Sequence, residues 1–290
     1  MYRKIILVTV LLLSPLAHAA EITPKQQKQL TKSAQAIVTA LEKRDFPAFQ
    51  RMVDSKVVLA NAVDRPGLSA EDRKAALTAM KTTLPAIIRM SARFNGMTDF
   101  KLTHIATSDT GAVVTVQGQT EGRTSYWEFH LVEGRRGKFK IVNWLGFDIG
   151  VPLTDVLLAG FADDAQNVNA MAAVLSAPVA DEDRPALEKQ LRLLAGIWQG
   201  QDEFNAYVAA HYELPDTLQK ERLMLRHLTI QAQVADANEV YFYALEQLEK
   251  HHSDDWRECE LLLIHYEHVG DQEGTQRCTD EFAHRFGGAH

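Results

Sequence analysis

The hydrophobic period of this chain changes twice, and no other feature constrains its fold as tightly. Up to about residue 91 apolar residues recur every three or four positions. Between Phe100 and Phe147 they alternate, and after Pro152 the three-to-four spacing returns. The first spacing belongs to a helix with one buried stripe, the second to a strand with one buried face. Helices, then a run of strands joined by short turns, then helices again make an α+β fold.

In the first helical stretch Thr23-Pro24-Lys25-Gln26 forms a capping box with proline at the first helical position. Leu30, Ala34, Ile37, Val38 and Leu41 make its buried stripe. A short second helix is predicted over 48–53 and, from its aliphatic, β-branched content, a strand over 56–61. Ser69 caps a further helix with the stripe Ala76, Met80, Leu84, Ile87 and Ile88, which Pro85 should kink. The alternating segments predict four strands, 100–107, 112–120, 125–132 and 138–147, with turns at Ser108–Gly111, Glu121–Arg123 and Glu133–Gly137. On the third strand Trp127, Phe129 and Leu131 share one face, which should pack on the helices. Tyr126, Glu128 and His130 share the other, which should face water.

This order of elements resembles the nuclear transport factor two-like cone fold. Tyr126-Trp127-Glu128-Phe129-His130-Leu131 is similar to that family's penultimate strand, and Gly137-Lys138-Phe139-Lys140-Ile141-Val142-Asn143-Trp144 to its last. The resemblance covers residues 22–150 and implies a curved antiparallel sheet wrapped on long helices. The family holds isomerases, dehydratases and cyclases beside many non-enzymatic binders. Its ketosteroid isomerases carry a donor tyrosine on the first helix, which has none here, so no catalytic residue is transferred. His104, with the parity of Phe100 and Leu102, and the carboxylates Asp54 and Asp64 are the candidates for lining the pocket.

Eight helices are predicted after Pro152, near 153–162, 166–176, 183–198, 202–211, 217–234, 237–251, 255–269 and 272–286, pairing as four antiparallel hairpins. Asp236 with Glu239 reads as a capping pair and Gly270 as a C-cap. A 34-residue echo runs through them: Leu194, Trp198, Ala210 and Leu214, then Leu228, Ala232, Ala244 and Leu248, then Leu262, Tyr266, Cys278 and Phe282. That is the tetratricopeptide period, so this half is tetratricopeptide-like, although the family's Gly-Tyr signature is missing.

Three organisational readings follow. A basic start at Arg3-Lys4, an apolar run over 5–13 and Ala17-His18-Ala19 read as a signal peptide over 1–19 cleaved near Ala19, hence a periplasmic or secreted protein. The remaining boundaries are 20–150 and 151–290. The first of these carries 19 Lys and Arg against 13 Asp and Glu, the second 10 against 25. An acidic chain, −7 in all, is a poor partner for nucleic acid, and no later segment is apolar enough to span a membrane. Arg135, Arg136, Lys138 and Lys140 crowd one hairpin tip and are the candidate contact for an anionic surface, the acidic half first.

No G-x-S-x-G, Walker loop, dinucleotide fingerprint or C-x-x-C occurs. No cofactor is expected, and His265 with His268, one turn apart, is the weak metal candidate. Cys259 and Cys278 are expected to remain thiols, because their unequal distances from the turn at Gly270 place them about 6 Å out of level, although export permits a disulfide. The function expected is a non-enzymatic interaction protein or scaffold whose partner is another envelope protein or peptide, or a second copy. The alternative is a small-ligand carrier or isomerase-like enzyme using the cone pocket.

Overall fold

The computed structural model describes residues 23–91, 97–108, 111–120, 123–134, 137–146, 151–165, 167–175, 178–196 and 201–286. The signal-peptide segment, Arg135, Arg136, Phe147 and Trp198 therefore lie outside the described residues. The chain is α+β. Helices α1 (Pro24–Glu42), α2 (Phe46–Met52), α3 (Ser55–Val63) and α4 (Ala70–Ser91) precede four strands, β1 (Thr98–Ser108), β2 (Gly111–Thr120), β3 (Arg123–Glu133) and β4 (Phe139–Gly146). Helices α5 (Leu153–Ala165), α6 (Val168–Ala172), α7 (Arg184–Gly196), α8 (Gln201–Tyr212), α9 (Asp216–Gln219), α10 (Arg222–Val234), α11 (Asn238–His252), α12 (Cys259–Val269) and α13 (Gln272–Phe286) complete it. No helix of the described residues is long and apolar enough to cross a membrane.

Local chemistry sets the starts of the N-terminal helices. Thr23 and Gln26 cap α1 reciprocally, Asp45 and Asp54 accept from the backbone of Ala48 and Val57 to start α2 and α3, and Ser69 accepts from Asp72 to start α4. One expected element changes class. Residues 56–61 belong to helix α3, not to a strand, because Asp54 caps the segment and Val58, Leu59, Ala62 and Val63 form a helical stripe. Only Val53, before the cap, keeps a strand-like bridge, parallel to Ile141. Helix α4 continues through Pro85.

The strands pair in the order β1-β2-β3-β4, each antiparallel to the next. Trp127, Phe129 and Leu131 enter the core as expected, where Phe49 of α2 stands edge-on to both Phe129 and Trp144. Leu30, Ile37, Phe49, Met80, Val114, Phe129 and Ile141 are all at most 1% exposed, so the space between helices and sheet is filled with apolar side chains. The far edge of β4 is partly covered: the Asp54 amide donates to the Ile141 carbonyl, and Leu145 bridges to Pro152. Strand β1 is the other edge, broken by register shifts between Thr98 and Lys101 and between Leu102 and His104.

The opposite face of the sheet is covered around Tyr126, where strand alternation implied water. Tyr126 is 2% exposed and packs on Phe282 and Phe286 of α13, and Ser125 donates to Glu260 of α12 at 2.6 Å. The sheet thus lies between two helical layers, and the C-terminal layer has its own apolar cluster. Near the crossover, Arg65 pairs with Asp155, and Asn143 reaches Thr154 from strand β4.

The helical half follows the expected sequence with small corrections. The segment expected over 217–234 is split into α9 and α10 around Lys220 and Glu221, and Glu221 caps α10. Asp236 takes a left-handed φ of 54° and does not cap α11, which begins after Ala237 without a side-chain cap. Gly270 does close α12, with φ 73°. Buried Arg226 pairs with buried Glu258 at 2.7 Å, fixing the turn before α12 against α10.

The expectation of free thiols is wrong. Cys259 and Cys278 are bridged, with Cα atoms 5.3 Å apart. The expectation assumed parallel axes at ordinary spacing and a helix starting at 255. Helix α12 instead starts at Cys259 after a 3-10 turn, Trp256–Glu258. Glycine at 274 lets α13 press on the Tyr266 ring so closely that a Cβ there would lie 2.6 Å from it. Cα atoms stand about 2.3 Å off each helix axis, so facing positions at the usual axis spacing of about 8–10 Å lie only about 3–5 Å apart, and the expectation erred in taking the axis spacing as the Cα separation.

Candidate functional site

Of the residues singled out in the sequence, the space between the N-terminal helices and the sheet receives none of the three pocket candidates. Asp54 is spent capping α3. Asp64 ends that helix with its side chain 87% exposed, 3.6 Å from Arg73. His104 is exposed and faces away from the core, because the irregularity between Leu102 and His104 reverses the parity of β1. Ile105, its neighbour, packs on the core instead.

The metal candidates are also separated in role. His265 is buried and its Nε2 lies 3.1 Å from Glu249, whereas His268 stacks on Phe242 with ring centroids 3.5 Å apart. Among the described residues no group of three or more His, Cys, Asp or Glu side chains could hold a metal ion. At the basic tip Lys138 is exposed, and Lys140 donates to the carbonyl of Arg51 at the end of α2, within the basic half itself. The seam between the halves is built elsewhere, from Tyr126, Leu145 and the aromatic end of α13.

Two surfaces remain. The first is on the helical layer. The helices pair as α7–α8, α10–α11 and α12–α13, with α11 also against α12, and the described members of the 34-residue series are buried. Ala210, Ala244 and Cys278, the small residues of the series, are at most 2% exposed, as expected where helices cross closely. Outside this core Tyr212 is 47% exposed and stands edge-on to Tyr243, at 5.3 Å. Asp216, Lys220 and Glu246 lie close enough to Tyr243 to influence its hydroxyl, which burial and the two acidic groups raise. Two tyrosines ringed by charges of both signs form a surface suited to polypeptide contact.

The second is a cavity of about 370 Å³ between the outer face of the sheet and the end of α13. His104, Thr115 and Glu128 form its floor in one cross-strand row, with Ala106 and Val113 beside them. Trp256, His284, Arg285 and Phe286 form its wall. Burial pushes the Glu128 carboxyl above its usual range, and Arg257 and Arg285 offset that only in part. Burial, then the charge of Arg257, pushes His130 below the usual imidazole range. Sequence reading placed His104 in a pocket but chose the wrong side of the sheet. It missed Glu128, Trp256 and Arg285. The available signal was Tyr126 itself, a large aromatic on the outer face of β3 among Thr124, Glu128 and His130.

No protein-family model, curated protein or solved structure matches the chain.

Proposed function

We propose that this is an exported, non-enzymatic interaction protein: a nuclear transport factor two-like cone carrying a short tetratricopeptide-like stack that presents its surface to another envelope protein or peptide. The observation that carries the reading is the recurrence of buried positions at 34-residue intervals through three successive hairpins, with the small residue at the same level in each. Such stacks expose extended surfaces, and binding other chains is their common use. The pair of exposed Tyr212 and half-buried Tyr243 gives the surface an aromatic anchor of the kind that dominates protein interfaces. A disulfide between Cys259 and Cys278 supports export to an oxidising compartment.

The alternative, chemistry in the cone, has less support. An enzyme there needs a base and a donor in a chamber, whereas the space is packed with Phe49, Phe129, Trp144 and aliphatic groups. The test is photo-crosslinking in the native cell envelope. A crosslinkable residue at Tyr212 should give one discrete adduct, weakened in the Tyr243→Ala background. The same residue at exposed Lys32 on α1 should not give it. Equal labelling from both positions, or none from Tyr212, would count against the proposal.

A further inference from the structure

Glu128 and Arg285 line one cavity without bonding to each other. The Glu128 carboxylate makes no hydrogen bond and no ion pair with any described residue. Arg285 spends its Nε on Glu281 at 2.6 Å and lays its guanidinium over Trp256, 4.4 Å from the ring centre, and its terminal nitrogens have no acceptor among the described residues. An acceptor and a donor set of opposite charge thus stand at the wall of the same space, partly buried and open to a ligand that carries both charges.

The rest of the cavity defines what would satisfy them. Its volume of about 370 Å³ falls in the range of small-molecule sites, roughly 300–1,000 Å³. Strand pairing sets Thr115 directly opposite both His104 and Glu128, so the polar floor runs straight across three strands. Trp256 and Phe286 stand edge-on to each other at 5.6 Å and give an apolar wall. A simple cation would be drawn to Glu128 but opposed by Arg285 and Arg257. A simple anion would meet the reverse. A metal ion has no triad of ligands among the described residues. A molecule carrying both charges on one small frame meets neither objection.

The geometry points to a site for a free α-amino acid with a large apolar side chain, its ammonium on Glu128, its carboxylate on Arg285 and its side chain against Trp256 and Phe286. The raised Glu128 carboxyl agrees, since an arriving ammonium adds to the opposite charge that Arg257 and Arg285 supply only in part. This site is separate from the tyrosine surface of the helical stack and stands whether or not a protein partner binds there.

The test is isothermal titration of the oxidised, full-length protein with L-phenylalanine, N-acetyl-L-phenylalanine and L-phenylalaninamide. The first should bind with a Kd below about 1 mM. Removing the ammonium by acetylation or the carboxylate by amidation should each weaken binding at least about tenfold. Glu128→Gln should weaken phenylalanine to the level of the acetylated ligand while leaving the acetylated ligand unchanged. Arg285→Gln should do the same for the amide. Absence of saturable heat with phenylalanine overturns the inference, and so does equal binding of all three ligands by the unmodified protein. Variants that weaken every ligand alike also overturn it, because they would report damage to the fold and not the loss of one charge.

Discussion

Reducing the Cys259–Cys278 bond should cost the protein a measurable and calculable share of its stability. The bond joins residues 19 apart. In the chain-entropy description, closing a loop of that length removes about 3 kcal/mol of unfolded-state freedom at 25 °C. For a chain of this size about 1 kcal/mol shifts Tm by roughly 2–4 °C, so reduction should lower Tm by about 6–12 °C. The loss belongs to the C-terminal hairpin, which also covers Tyr126 through Phe282 and Phe286. Differential scanning calorimetry with and without a phosphine reductant measures it, and the Cys259→Ala, Cys278→Ala double variant should melt low and ignore the reductant. Alanine serves better than serine here, because both positions are buried and a hydroxyl would add its own cost. Denatured protein alkylated without reductant should take up no label. Label on both cysteines, or a Tm indifferent to reductant, refutes the reasoning.

Two further outcomes test the interior. His211 is fully buried, neither ring nitrogen has a partner, and burial lowers its pKa to about 4. Its unfolded value is about 6.5, so the unfolded chain takes the proton first, and stability present above about pH 6.5 falls by about 3 kcal/mol as pH drops towards about 4. His211→Leu should flatten that part of the urea-midpoint profile, and an unchanged slope would remove His211 as its cause. Gly274→Ala should destabilise by about 1–2 kcal/mol net, since crowding against the Tyr266 ring outweighs the gain in helix propensity. A midpoint equal to or above the wild type would show that the hairpin has room there.

The periods of the sequence carry the elements but not their neighbours. Strand alternation correctly buries Trp127, Phe129 and Leu131, and the 34-residue echo correctly buries Ala210, Ala244 and Cys278. Alternation says which side chains share a face; it does not say what covers that face. Tyr126 was therefore read as wet, although α13 covers it from about 150 residues downstream. His104 was lost to a different cause, because one irregularity in β1 inverts every side chain beyond it and leaves no mark in composition. Residues 56–61 show local chemistry overruling propensity: Val57, Val58 and Leu59 suit a strand, but Asp54 caps them into a helix packed on α4 and α5. The cysteines failed because the spacing of helix axes was set against a limit that applies to Cα atoms, and because α12 starts at Cys259 and not at 255. The cavity was invisible because its floor and wall come from segments that only tertiary packing joins.

The broken register of β1 bears on how copies of this chain can meet. An unsupported strand with a regular ladder of amides and carbonyls is a template on which a second molecule can extend the sheet. Here β1 interrupts that ladder twice between Thr98 and His104, and Asp99 turns its backbone to a φ of 54°. An incoming strand would keep pace with it for only a few residues before its donors faced no acceptor. Open-ended growth of the β-sheet across this edge is thereby disfavoured.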